Sequence, residues 1–142
     1  MRILIICLGI FLITSCKKDA SDNLTKYNWV LESEVVSPAM TINGTTSTDY
    51  MLLRGPESCA KNYTIAFAKN GSFTVSSTGS LCDMKANTAD QQWTRGGDQL
   101  SLNFGKSVTS MTILEDALVS KMTIVFNGTP FVVTSTYRAK SK

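Results

Sequence analysis

The sequence predicts an all-β fold, an antiparallel up-and-down β-barrel of about eight strands, with a two-sheet β-sandwich as the rival arrangement. Three observations predict it. From Thr25 onward the chain is rich in Thr, Ser, Val, Phe, Tyr and Trp, residues that suit a pleated, half-buried surface. Large apolar residues recur at every second position, as in Leu100, Leu102 and Phe104 against Gln99, Ser101 and Asn103, so one face of each run is buried and the other wet. Asn-Gly and Gly-Gly pairs separate the runs where hairpins need them. Short consecutive antiparallel strands favour closure, because a barrel removes exposed edges.

The chain opens differently. Met1-Arg2 is a basic start, Ile3 to Ile13 is apolar, and Ile13-Thr14-Ser15-Cys16 brings small residues before a cysteine. This resembles a bacterial lipoprotein signal peptide with a lipobox cut before Cys16. As a helix the apolar run is about 16 Å long at ~1.5 Å per residue, short of the ~30 Å bilayer core. It therefore reads as an export address and not as a span. Residues 1–15 are the expected signal peptide. Residues 16–24 are the lipidated cysteine and a polar tether, in which Lys17 and Lys18 can meet anionic head groups. Residues 25–142 form the expected barrel domain. The implied location is the bacterial cell envelope, with the protein lipid-anchored in the outer membrane.

Nine runs follow, at about 26–36, 48–54, 61–68, 72–78, 89–95, 98–104, 108–115, 118–126 and 130–139. In the first, Trp29, Leu31 and Val35 alternate with Glu32 and Glu34, which puts both carboxylates on the wet face. Tyr63, Ile65 and Phe67 alternate with Thr64, Ala66 and Ala68, and Asn70-Gly71 turns the chain into the next run. Gly96-Gly97-Asp98, Glu115-Asp116 and Asn127-Gly128 mark later turns. Met122, Ile124 and Phe126 alternate with Lys121, Thr123 and Val125; Phe131, Val133 and Tyr137 alternate with Val132, Thr134, Thr136 and Arg138. The stretch from Ser37 to Thr48, with Pro38 and Asn43-Gly44, reads as a loop or a ragged hairpin. No helix of useful length, internal repeat or second domain is expected.

Composition narrows the chemistry. Without Arg2, 13 basic residues face 11 acidic ones and are scattered singly along the strands, with none of the basic striping of a nucleic-acid binder. The chain has no histidine, which excludes a Ser-His-Asp triad, a Cys-His pair and a His-based zinc site. No metal or cofactor is expected. Of the four cysteines, Cys7 leaves with the signal and Cys16 would carry lipid, so Cys59 and Cys82 remain in an oxidising compartment. A metal or redox role is one reading of this pair. A structural disulfide is the preferred one, since two thiolates are too few for zinc and no Cys-x-x-Cys occurs. Such a bridge closes a loop of about 24 residues and contributes roughly 3 kcal/mol.

Early Trp29, Cys59-x-x-Asn62, Phe67, Gly71-x-Phe73, Cys82, Trp93 and the Gln99 to Phe104 run together resemble the lipocalin-like lipoproteins, small β-barrels behind a lipobox. The likeness is to this loose group, since true lipocalins have Gly two residues before the first tryptophan, where Tyr27 stands. The resemblance implies a barrel that is either filled by side chains or holds one small apolar or amphiphilic ligand. It also implies a late basic residue stacked on the first-strand tryptophan, here the barrel-closing pair Trp29 and Arg138.

Three functional readings follow. In the first, a non-catalytic binding module, Phe67, Phe73, Trp93, Leu102, Met111, Met122 and Phe126 face inward as candidate ligand-binding residues, the methionines adapting to varied shapes. In the second, a solid scaffold presents Ser37 to Thr48 and Thr78 to Asp90 as loops for an envelope protein or glycan. In the third, Glu32 and Glu34 point the same way and do acid/base work; their wet-face position argues against it, and no enzymatic activity is expected. If Cys16 carries the anchor, Cys16→Ala shifts the protein from the membrane to the soluble fraction and abolishes labelling by a fatty-acid analogue. Label retained on the variant would refute the site.

Overall fold

Hairpin turns set the architecture. At Asn43-Gly44 and again at Asn127-Gly128 both residues take positive φ, 49° and 79° in each pair. Two such residues in succession match the right-handed twist of the flanking strands. The first turn joins β1 (Tyr27–Ile42) to β2 (Thr45–Asp49), and the second joins β8 (Ala117–Phe126) to β9 (Thr129–Ser141). Between them lie β3 (Thr64–Phe67), β4 (Phe73–Ser76), β5 (Gln91–Gly96), β6 (Gln99–Phe104) and β7 (Val108–Ile113), with short helices α1 (Ala20–Lys26) and α2 (Tyr50–Arg54). The computed structural model describes residues 20–56, 58–60, 62–77 and 90–142. The expected signal peptide, Cys16, Cys82 and most of the Thr78 to Asp90 segment lie outside the described residues.

The protein is an all-β, up-and-down barrel. Its order is β1, β3, β4, β5, β6, β7, β8, β9 and back to β1, with β2 attached to β1 off this path. Each ladder is antiparallel. Closure between β4 and β5 is slight: a Ser72↔Gln92 bridge and a Trp93 N–H donating to the Gly71 carbonyl at 2.8 Å. The barrel is thus nearly closed.

Two expected elements differ, and one open alternative is decided. Only Thr48 and Asp49 of the segment 48–54 are strand; the Asp49 carboxylate accepts from the Leu52 N–H at 3.0 Å and caps α2, which takes the rest. Gly55, at φ 82°, ends that helix. Residues 37–48, expected as a loop or a ragged hairpin, form the hairpin: the far half of β1, the Asn43-Gly44 turn and most of β2, with an irregular register between Val35 and Met40. The polar tether is helical from Ala20. Leu24 on that helix is 1% exposed, and its carbonyl accepts the Trp29 indole N–H at 3.1 Å. The leucine plugs the barrel end that the tryptophan lines.

Inside, two apolar clusters form. The larger contains Leu24, Trp29, Leu31, Ile65, Phe67, Phe73, Val75, Leu100, Leu102, Met111, Leu118 and Tyr137. Its aromatic part is tight: Phe67 lies 5.6 Å from Trp93 and 6.3 Å from Phe73, and Phe73 lies 5.0 Å from Phe104, ring centre to ring centre. The smaller cluster, Val36, Met40, Phe131 and Val133, sits where β1, β8 and β9 run past the barrel and pack against Tyr50 and Leu53 of α2. Phe67→Ala removes a fully buried ring from the larger cluster and is expected to destabilise by about 3–5 kcal/mol in urea denaturation. Exposed Val125→Ala is expected to change stability by less than about 0.5 kcal/mol. Equal effects would contradict this core.

Candidate functional site

The β1–β9 ladder contains one irregularity that shapes the interior. Leu31 pairs with Tyr137, and Ser33 pairs with Thr136, so β1 spends an extra residue at Glu32. A bulge of this kind reverses which side chains face inward. Before it Trp29 and Leu31 point in; after it Glu34 and Val36 do. Glu34 is 9% exposed and Val35 is 49% exposed, the reverse of strict alternation. The two carboxylates therefore do not act together. Glu32 lies outside, accepting from the Arg138 Nε at 2.8 Å, while Arg138 Nη1 donates to Asp116 at 2.7 Å.

Register then carries Glu34 across the barrel wall. Glu34 pairs with Ser135, Ser135 with Ser120, and Ser120 with Met111. The rows beside it are larger: Leu31, Tyr137, Leu118 and Ile113 on one side, Val36, Val133 and Met122 on the other. Two serines between rows of large side chains leave space. A cavity of about 200 Å³ occupies it, bounded by all four residues of the row together with Leu31, Ile65, Leu102, Phe104, Thr109, Met122, Tyr63 and Tyr137.

The cavity is polar on one side. The Glu34 carboxylate accepts from Arg54 Nη1 at 2.9 Å and from the Ser135 hydroxyl at 3.2 Å. Arg54 comes from α2, lies 5.5 Å from the Tyr50 ring centre, and reaches the cavity from the partly open side. Tyr63 and Tyr137 meet edge to face at 6.2 Å. Burial raises the pKa of both, and for Tyr137 the neighbouring Tyr63 and the Glu34 charge raise it further while Arg54 opposes. Both phenols therefore stay protonated at neutral pH. A pocket with an apolar wall of Leu31, Ile65, Leu102 and Met111, facing a neutralised ion pair and hydroxyls, suits a small amphiphile.

The expected site residues divide. Leu102, Met111 and Met122 line the cavity. Phe67, Phe73 and Trp93 do not; they pack on one another in the filled half of the barrel, and the Trp93 indole donates to the Ala68 carbonyl at 3.1 Å. Phe126 stands partly exposed at the tip of the β8–β9 hairpin, away from it. Trp29 and Arg138 are not a stacked pair: Trp29 pairs with Ala139 on the inner face, and Arg138 pairs with Val30 on the outer one. Sequence reading put Glu34 on the wet face and missed Arg54, Ser120 and Ser135. A signal for Ser135 was present, a serine at an inward position between Val133 and Tyr137. Cys59 also lies at the cavity, and the Ser77 hydroxyl donates to its carbonyl at 2.5 Å.

No protein-family model, curated protein or solved structure matches this chain.

Arg54→Met leaves the buried Glu34 carboxylate without its cation. Arg54 is about one-third exposed, which softens the effect to about 1–2 kcal/mol in urea denaturation. Adding Glu34→Met to that variant is expected to recover most of the loss. A neutral Arg54→Met would show that the pair is fully solvated.

Proposed function

We propose that this chain is a lipid-anchored, lipocalin-like binding protein of the bacterial envelope that holds a short amphiphile in the cavity beside Glu34 and Ser135. Lipidation at Cys16, a Cys59–Cys82 bridge and a non-catalytic role belong to this reading. The observation that carries it is the cavity along the row Glu34–Ser135–Ser120 on the inner face of the barrel. A barrel needed only as a scaffold gains stability from large apolar residues at those positions.

Size restricts the ligand. At about 200 Å³ the cavity lies below the ~300–1,000 Å³ of drug-sized pockets. It has room for about seven water-sized groups at ~30 Å³ each. Haem, retinoids and long-chain fatty acids exceed that, whereas a chain of a few carbons with one polar end fits. The polar end meets Glu34, Arg54 and Ser135, and the chain lies against Leu102 and Met111.

Thermal-shift measurements with short alkyl alcohols, amines and carboxylates test this reading. A binder at a hundredfold excess over its Kd stabilises by about 2.7 kcal/mol, a shift of several degrees. Ser120→Leu is expected to fill the cavity, keep the fold and abolish the shift. If no probe shifts the melting temperature, or if Ser120→Leu responds as the unsubstituted chain does, the reading fails.

A further inference from the structure

Past Ser120, β8 parts from β7. The last β7–β8 pair is Met111↔Ser120, while β8 continues against β9 to Phe126. Among the described residues no strand pairs with Lys121–Phe126 on that side. The backbone phase there follows from the two turns. Leu114 N–H donates to the Ala117 carbonyl at 2.8 Å, so odd-numbered residues of β8 aim their peptide groups toward the β7 side. The tight turn between Phe126 and Thr129 aims the even-numbered ones at β9. Thr123 and Val125 therefore present open donors and acceptors along the edge.

Natural sheets blunt such an edge with proline, central charges or short length. Lys121-Met122-Thr123-Ile124-Val125-Phe126 has no proline or glycine, and its one charge sits at the base. Apolar side chains along it are uncovered: Met122 is 57% exposed, Val125 70% and Phe126 37%.

We propose that this edge pairs antiparallel with the same edge of a second copy of this chain, about a twofold axis at Ile124. Register argues for a second copy as the occupant. A continuous sheet needs opposed residues to face the same way, so paired numbers must be both odd or both even. Open backbone groups must also meet, so odd must lie opposite odd. Thr123 opposite Val125, and by symmetry Val125 opposite Thr123, satisfies both requirements. Met122 then lies opposite Phe126, so the exposed side chains cover each other. Lys121 lies opposite Asn127, so no like charges meet. Centring on Val125 would leave Met122 opposite the turn glycine and uncovered. Centring on Thr123 would set the partner's Phe126 opposite Ser120 and its whole turn opposite Val119 and Leu118, inside the β7–β8 ladder, whereas centring on Ile124 brings the turn only to its edge. The patch is thus complementary to itself in one register, as a twofold interface requires. Nothing in this contact depends on the cavity being a binding site.

The test uses the full chain purified in detergent. Light scattering is expected to give twice the protomer mass. Ile124 opposes itself at a close, non-hydrogen-bonded position, so Ile124→Cys is expected to trap a disulfide-linked dimer on a non-reducing gel, and Val125→Cys is not. Thr123→Pro removes an edge N–H that β9 does not use and is expected to give a monomer with an unchanged circular-dichroism spectrum. If that variant does not fold, Val125→Lys serves in its place with the same expected result. A monomeric unsubstituted chain, a dimer that survives the folded edge variant, or equal crosslinking at Val125→Cys and Ile124→Cys overturns the proposal.

Discussion

Between Leu31 and Ser33, β1 carries one more residue than β9 does opposite it, and the inner face of the barrel beyond that point depends on this bulge. Without the extra residue, Ser33 and Val35 would follow Leu31 inward and Glu34 would face water. With it, Glu34 turns in and meets Ser135, and the ladder carries the row on to Ser120 and Met111. The bulge also places Glu32 outside, where Arg138 holds it together with Asp116. One backbone irregularity thus separates two neighbouring carboxylates into an outer ion cluster and an inner polar row. Side-chain period and backbone register are coupled in a sheet, so a local insertion acts on every later residue of the strand until another irregularity intervenes. The next one in β1 lies between Val35 and Met40, in its pairing with β2.

The polar row departs from good packing in two ways at once. A buried carboxylate must be compensated for lost hydration, and here Arg54 and the Ser135 hydroxyl do so. Apolar residues of similar volume are as stable or more stable than such a pair. Beside it, two serines stand where their neighbours are Leu, Val, Met and Tyr, and the volume they leave is unfilled. Each departure alone has a structural explanation. Their coincidence in one cross-strand row, at the junction of the two apolar clusters, supports reading the row as a site, because local rules are broken where function needs them broken. Arg54 adds that the site depends on α2, a five-residue helix with one capping carboxylate, packed on the smaller cluster through Tyr50 and Leu53.

Much of the fold was legible because it rests on local rules. Composition and alternation gave the strands, and Asn127-Gly128, Glu115-Asp116 and Asn70-Gly71 gave turns where the chain turns. Small spans misled when a single residue outweighed its neighbours. Asp49 caps a helix in a run whose apolar residues alternate poorly, and Leu24 turns a polar tether into a plug. The site was harder to see. Leu102 and Met111 were legible because alternation put them inside, while Phe67, Phe73 and Trp93 satisfied the same rule and fill the core instead. Alternation says which residues face inward and is silent about whether they meet. Glu34 was assigned to the wrong face because a bulge has no signature in this sequence. Arg54 was missed because only tertiary structure brings α2 over β1.

The positions of these features along the barrel axis bear on the anchored reading. Leu24 and α1 close one end, next to the 96–98 and 114–116 turns. Glu34, Ser135 and the open β8 edge lie toward the other. From Cys16 to Ala20 the chain reaches at most about 14 Å at ~3.6 Å per residue. A lipid on Cys16 would thus hold the α1 end close to the membrane and leave little free tether. The cavity and the β8 edge would then face away from the bilayer, one offering an amphiphile a small, partly open volume and the other offering a second barrel a strand to continue. A short, partly helical leash favours such an encounter, because barrels held at one height with one end down need only rotate about the membrane normal to bring like edges together.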